Sequence, residues 1–279
     1  MGSLVYVLTD MPLIKLISTD FDGTLIGFSS DGRCSPQFAD AIMDHKERGG
    51  LWAVNTGRDL HYAVEGVLQF DAPVAPDFLL TNEREVFRWD AGWAAHGEWN
   101  ARCRQRHDEL FEIAAEIFVA LELLSKQRDG IRLIYEENRP VGLTTETEAL
   151  MDLIVRDIDL LAASFSDFSY QRNTVYLRFC HRDYHKGTAL SELCRLENIP
   201  VDHVFAAGDH YNDLPMLDVR YSAMTACPAN AIEPVKERVT LAKGFISQKN
   251  CADGVADAMR FYTENEAMPS GAAFASSDA

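Results

Sequence analysis

Four short apolar runs in this chain each end on a residue that can do chemistry, and that pattern narrows the fold more than any other feature. Leu13–Thr19 is apolar on both faces apart from Lys15 and Ser18 and stops at Asp20. Leu51–Val54 leads into Asn55-Thr56-Gly57-Arg58, Phe78–Leu80 into Thr81-Asn82, and Val204–Ala207 into Gly208-Asp209. Short runs without polar alternation read as strands buried on both faces, the habit of parallel sheets. Between them, Ser35-Pro36 supplies an N-cap and a first-turn proline, Gly49-Gly50 a stop, and Lys186–Leu196 reads as a further helix. Strand, helix, strand in alternation predicts an α/β fold, a doubly wound parallel sheet of Rossmann-like type.

The grammar changes over 83–182. A Trp-rich opening (Trp89, Trp93, Trp99) is followed by a helical stretch at Leu110–Leu124 and by strand-like composition at Ile131–Tyr135 and Val175–Cys180. We read this span as an α+β domain inserted into a core made of residues 1–82 and 183–264. The small, polar tail 265–279 reads as disordered.

Composition excludes several function classes. A formal net charge of -17 opposes nucleic acid and anionic membrane as partners, and Arg102, Arg104 and Arg106 sit among acids as a solvated helix face. The six cysteines are dispersed without zinc-like spacing, which suits packed thiols in a cytoplasmic compartment. Residues 1–17 are interrupted by Asp10, Pro12 and Lys15, so neither a spanning helix nor a signal peptide is expected.

In an open α/β sheet the loops after the strands converge at one edge, where ligands bind. That brings Asp20 and Asp22 of Asp20-Phe21-Asp22-Gly23-Thr24 toward Asp209 and Asp213 of Gly208-Asp209-His210-Tyr211-Asn212-Asp213. Carboxylates gathered this way repel one another unless a cation joins them, and magnesium suits an all-oxygen set that shares its shell with phosphate. A carboxylate is also a competent nucleophile toward phosphorus, so Asp20 can form an aspartyl-phosphate while Asp22 moves the protons. Thr56 offers a hydroxyl and Lys186 a positive charge at a helix start. His185 and His210 flank these positions and read as facing solvent or packing their loops. Arg172 and Arg178 read as surface charge, with a second anionic group of the substrate as the alternative.

With those residues in place, the order DFDGT at 20–24, NTGR at 55–58, HKG at 185–187 and GDHYND at 208–213 resembles the four motifs of haloacid dehalogenase-like hydrolases. Cys227-Pro228-Ala229-Asn230-Ala231 and Asp253-Gly254-Val255-Ala256 resemble the Cof-type branch, which includes sucrose-phosphate phosphatases and carries a large α/β cap. The resemblance implies that Asp20 is nucleophile and metal ligand, and that Asp22 is acid/base and reaches the metal through its backbone carbonyl. It implies that Asp209 is a further ligand, that Asp213 orients water on the metal, and that Thr56, Gly57, Lys186 and Asn212 hold phosphate, with Arg58 on phosphate or supporting the loop. Asn82-Glu83-Arg84 departs from the Asn-Gly-Ala common in the branch. The expected activity is magnesium-dependent hydrolysis of a small phosphate ester, a sugar phosphate foremost. A phosphomannomutase-like mutase and a non-catalytic phosphometabolite sensor are the alternatives.

Overall fold

A computed structural model describes residues 14–27, 32–136 and 138–266. The tail predicted to be disordered lies, from residue 267 on, outside the described residues, as does Leu13. The first stretch contains β1 (Leu16–Thr19), α1 (Pro36–Glu47), β2 (Leu51–Asn55), α2 (Leu60–Phe70) and β3 (Phe78–Thr81). Ser35 caps α1, its hydroxyl accepting from Phe38 N at 3.2 Å, and Asp59 caps α2 by accepting from Tyr62 N at 2.9 Å. Each is an N-cap satisfying an orphan first-turn donor.

From β3 the chain doubles back through β4 (Glu85–Trp89) and β5 (Trp93–Ala95), then runs through α3 (Trp99–Ile113), α4 (Ala115–Gln127), β6 (Ile131–Glu136) and β7 (Arg139–Thr145). α5 (Glu148–Ala162), β8 (Phe168–Asn173) and β9 (Tyr176–His181) complete this part. The chain closes with α6 (Lys186–Glu197), β10 (Val204–Ala207), β11 (Met224–Cys227), α7 (Glu233–Leu241), β12 (Phe245–Ile246) and α8 (Cys251–Glu266).

Two sheets organise these elements. The large one has the order β12-β11-β10-β1-β2-β3-β4-β5, parallel from β12 to β3 and antiparallel beyond. The small one, β6-β7-β9-β8, is antiparallel throughout. This is the α/β sheet with an inserted α+β unit that the strand pattern implies. Strands β4 and β5 fall inside the span 83–182 assigned to the insertion, yet they hydrogen-bond onto β3 and prolong the large sheet. The helical stretch around 110–124 is two helices, parted at Ala114, where ψ rises to 15°.

Helices cover both faces of the large sheet. Phe38, Trp52, Phe70 and Phe205 centre one layer with α1, α2 and α8; Leu190, Leu193, Val204 and Val235 centre the other with α6 and α7. A third cluster, with Phe118, Ile154, Leu177 and Phe179, joins α4 and α5 to one face of the small sheet. Register then fixes the site: Thr19, the last residue of β1, pairs with Val54 of β2 and Ala207 of β10. The next residues, Asp20, Asn55 and Gly208-Asp209, therefore emerge side by side at the carboxyl edge.

Candidate active site

Burial and charge meet at Lys186. Its side chain is 0% exposed, and its Nζ donates to Asp20 Oδ1 at 2.6 Å and to Asp213 Oδ1 at 2.7 Å. A lysine at the first turn of a helix is ordinarily solvated; here the helix start points into the strand edge. His185 is the N-cap, its Nδ1 accepting from Gly187 N and Thr188 N at 3.1 and 3.3 Å. Burial pushes this imidazole down to about 4, so it stays the neutral acceptor that the cap requires. Asn55 donates from Nδ2 to the Lys186 carbonyl at 3.1 Å, tying the helix start to β2.

Asp20, Asp209 and Asp213 each offer a carboxylate oxygen within a sphere where all three lie within 4.8 Å of one another. Burial, then the charge of Asp213, pushes Asp20 well above the usual carboxylate range, against the pull of Lys186. The same two causes raise Asp209 to about 7. Such a set holds more negative charge than one ammonium can balance, and its donors are all oxygen, so it fits a hard divalent cation. Asp213 is otherwise engaged: its Oδ2 accepts from the Asp209 and His210 amides at 2.8 and 2.9 Å, which fixes the loop that carries Asp209. Gly23 has φ +91°, and a Cβ there would run into the Asp209 carboxylate, so the turn after Asp22 needs a glycine.

The remaining sequence-predicted residues are distributed unevenly. Thr56 is buried beside the centre and its Oγ1 accepts from Arg58 N at 3.2 Å, which leaves its hydroxyl proton free to donate. Gly57 and Asn212 lie against Glu83. The Arg58 guanidinium is turned onto Asp22, at 2.8 Å from Nε to Oδ2 and 2.5 Å from Nη2 to Oδ1, and rests over the Phe21 ring at 4.8 Å. The Asp22 side chain is thus drawn toward Arg58 and stands outside the set of three carboxylates. His210 does more than pack its loop: its Nε2 meets Thr174 Oγ1, on the turn between β8 and β9, at 3.0 Å. Trp99 packs on Tyr184 and donates to the Arg84 carbonyl at 2.6 Å, while Trp89, half exposed, meets Trp93 edge to face at 5.3 Å.

Three contributors escaped the motif reading. Thr24 donates to Asp209 Oδ1 at 2.8 Å and orients it. Asn230 donates to the Gly23 carbonyl at 2.7 Å and accepts from Cys251 N at 2.8 Å, clamping the Asp20–Thr24 loop to the start of α8. Both residues lay within quoted motifs, so the signal was present without the role. Glu83 is the third. It is 7% exposed, sits at φ +66°, accepts from Asn212 Nδ2 at 3.1 Å, and reaches 3.9 Å from Lys186 Nζ. Its other oxygen, Oε2, is buried with no hydrogen-bond partner among the described residues.

Residues 141–259 match the family model of haloacid dehalogenase-like hydrolases. Among solved structures, a sucrose-phosphatase from Synechocystis in complex with sucrose and phosphate superposes with TM-score 0.66 at 16% identity, over 90% of this chain and 98% of that one. A haloalkanoate-superfamily phosphatase from Bacteroides thetaiotaomicron gives 0.60 at 18% identity, over 93% and 99%. A putative HAD/COF-like hydrolase from Plasmodium vivax gives 0.63 at 15% identity, over 92% and 98%. At these identities the likeness establishes the shared fold.

Proposed function

We propose that this chain, which belongs to the haloacid dehalogenase-like hydrolases, is a magnesium-dependent phosphatase that hydrolyses a small phosphate monoester, a sugar phosphate foremost, through phosphorylated Asp20. The observation that carries this reading is the buried contact of Lys186 with Asp20 and Asp213, set against Asp209 at the strand edge. A carboxylate held at a strand end, with one oxygen fixed by an ammonium, leaves its other oxygen to attack.

In this reading Thr56, Gly57 N–H, Lys186 and Asn212 receive the phosphoryl oxygens and align phosphorus with Asp20. Asp20 and Asp209 would hold the magnesium with the Asp22 carbonyl, and Asp213 keeps their loop in place. The bound cation would withdraw charge from the transferring group and cancel the repulsion among the carboxylates. Asp22 delivers a proton to the leaving alcohol and later removes one from the attacking water. For that it must leave Arg58, whose two bonds hold it as a carboxylate. Arg58 is therefore a positioning residue that sets where Asp22 waits.

The supports outside the centre are the unpaired state of all six cysteines, which suits a reducing compartment, and the charge, which disfavours polyanions. Among the described residues no helix is long and apolar enough to cross a membrane.

The test is phosphate release from a panel of sugar and polyol phosphates, with magnesium and with chelator, by the native protein and by Asp20→Asn. Chelation and the substitution should each lower release by about a thousandfold or more, with the circular dichroism of the variant unchanged. Release that survives Asp20→Asn defeats the mechanism. An isomeric sugar phosphate as product, in place of inorganic phosphate, would make the protein a mutase.

A further inference from the structure

At the seam between the β3–β4 turn and the inserted domain lies a cavity of about 630 Å³ with an unusual lining. Arg84 comes from the turn, Arg104 from α3, Arg139 from β7 and Arg178 from β9, with Phe111 and Phe179 forming an apolar wall. Three carboxylates, Glu85, Asp108 and Glu136, share the lining, so in a chain of formal charge -17 the four guanidinium groups leave this cavity with a small local excess of positive charge.

The internal counter-charges are incomplete. Asp108 meets Arg139 at 2.6 Å and Glu136 meets Arg178 at 2.8 Å, both carboxylates being exposed. Among the described residues neither Arg84 nor Arg104 lies within ion-pair distance of a carboxylate, and the Arg84 guanidinium donates only to the Asn82 carbonyl, at 3.2 Å. Burial, then the neighbouring Arg178 charge, holds the Arg84 guanidinium below its usual value. Guanidinium groups brought together and stripped of water repel, and an anion bridging them relieves both costs.

The cavity adjoins the phosphate donors through Glu83, which lies in the chain between the lining residues Asn82 and Arg84 and accepts from Asn212 Nδ2 at 3.1 Å. Arg178 of β9 also lines the cavity. Its charge acts on Glu83, the residue before Arg84 and the one that reaches Lys186.

We infer that this cavity receives the leaving group of the ester and that the leaving group carries an anion of its own, a carboxylate or a second phosphate, held by Arg84 and Arg178 with Arg104 at the rim. The substrate class is then a phosphate ester with two anionic ends. The inference rests on the phosphatase reading for its meaning, but binding can be measured apart from turnover.

Calorimetric titration of full-length Asp20→Asn protein with magnesium would compare 3-phosphoglycerate with glycerol 3-phosphate, and fructose 1,6-bisphosphate with fructose 6-phosphate. The doubly anionic member of at least one pair should bind about tenfold tighter or more, and Arg178→Gln should bring that ratio toward one. Preference confined to the first pair identifies a carboxylate; preference confined to the second identifies a phosphate. Equal affinities within both pairs, no binding of any of the four, or a ratio that survives in both Arg178→Gln and Arg84→Gln overturns the inference. Either variant suffices if the other fails to fold by circular dichroism. Phosphate release by the native protein is read separately: its absence beside an intact preference would defeat the phosphatase reading and leave the cavity assigned.

Discussion

The carboxylate centre and the arginine cavity solve the same electrostatic problem in opposite ways. In the centre, Asp20, Asp209 and Asp213 are forced together by strand register, and the fold answers them from within through Lys186, which is fully buried. In the cavity, Arg139 and Arg178 are answered from the solvent side by exposed acids, while Arg84 feels the charge of Glu85 but makes no ion pair among the described residues. A buried, internally paired site is pre-organised for one chemistry; a site with movable counter-charges adapts to what it binds. The core therefore carries the reaction and the seam carries the choice of ester.

The largest break in that comparison is Lys186→Met. Removing one partner from a buried charge cluster costs about 3–5 kcal/mol, because the carboxylates left behind are uncompensated. Urea unfolding in chelator should show a loss of that size, and added magnesium should recover much of it, since a cation bound among the same oxygens replaces the missing charge. A midpoint unchanged in chelator would mean that the carboxylates are already neutral in the cation-free protein.

The two regions also differ in how much of them the sequence discloses. Asp20, Asn55-Thr56 and Gly208-Asp209 each end an apolar run, and a parallel sheet in register has no alternative but to bring strand ends together. The pairing of Lys186 with Asp20 spans 166 positions, yet it follows from one motif order. The cavity gives no such cue, because positions 84, 104, 139 and 178 sit on a turn, a helix and two strands whose mutual placement depends on tertiary packing. Arg104 reads as a solvated helix residue by its neighbours, and only the seam against the β3–β4 turn gives it another context. Strands β4 and β5 are hidden for a related reason: Trp89 ends one and Trp93 opens the other across the exposed turn Asp90-Ala91, and their place is decided by the open edge of β3.

A smaller effect tests how the inserted domain is anchored. His107 of α3 is held by two hydrogen bonds, Nδ1 donating to the Cys103 carbonyl at 2.7 Å and Nε2 accepting from His181 N at 3.1 Å. That tautomer has no place for a second proton, and burial, then the Arg84 charge, pushes the group down to about 3. The folded value lies below the unfolded one, so the unfolded chain binds the extra proton first. Stability should be intact above the unfolded value near 6.5 and decline as pH falls from there toward 3, by about 2 kcal/mol at pH 5. Urea midpoints at pH 7.5 and 5.0 measure this, and His107→Gln should flatten the difference. An equal decline in both proteins would place the acid sensitivity elsewhere.

The finest test lies on the boundary between the regions, at Glu83. Its carboxylate touches Asn212, approaches Lys186 and closes on Gly57, while its amide donates to the Thr56 carbonyl at 3.1 Å. These four are the residues assigned to the phosphate, so an incoming dianion meets a resident acid among its own donors. Position 83 also holds a non-glycine residue at φ +66°, a left-handed conformation that most side chains avoid. The acid persists there against both backbone preference and burial, the latter raising its carboxyl above the usual range. Glu83→Gln keeps the shape and removes the charge. Competitive inhibition by inorganic phosphate should then tighten by about tenfold, the repulsion of one partly screened negative charge at close range. An unchanged inhibition constant would show that Glu83 is already neutral when phosphate enters, and that this acid braces the seam without opposing the ligand.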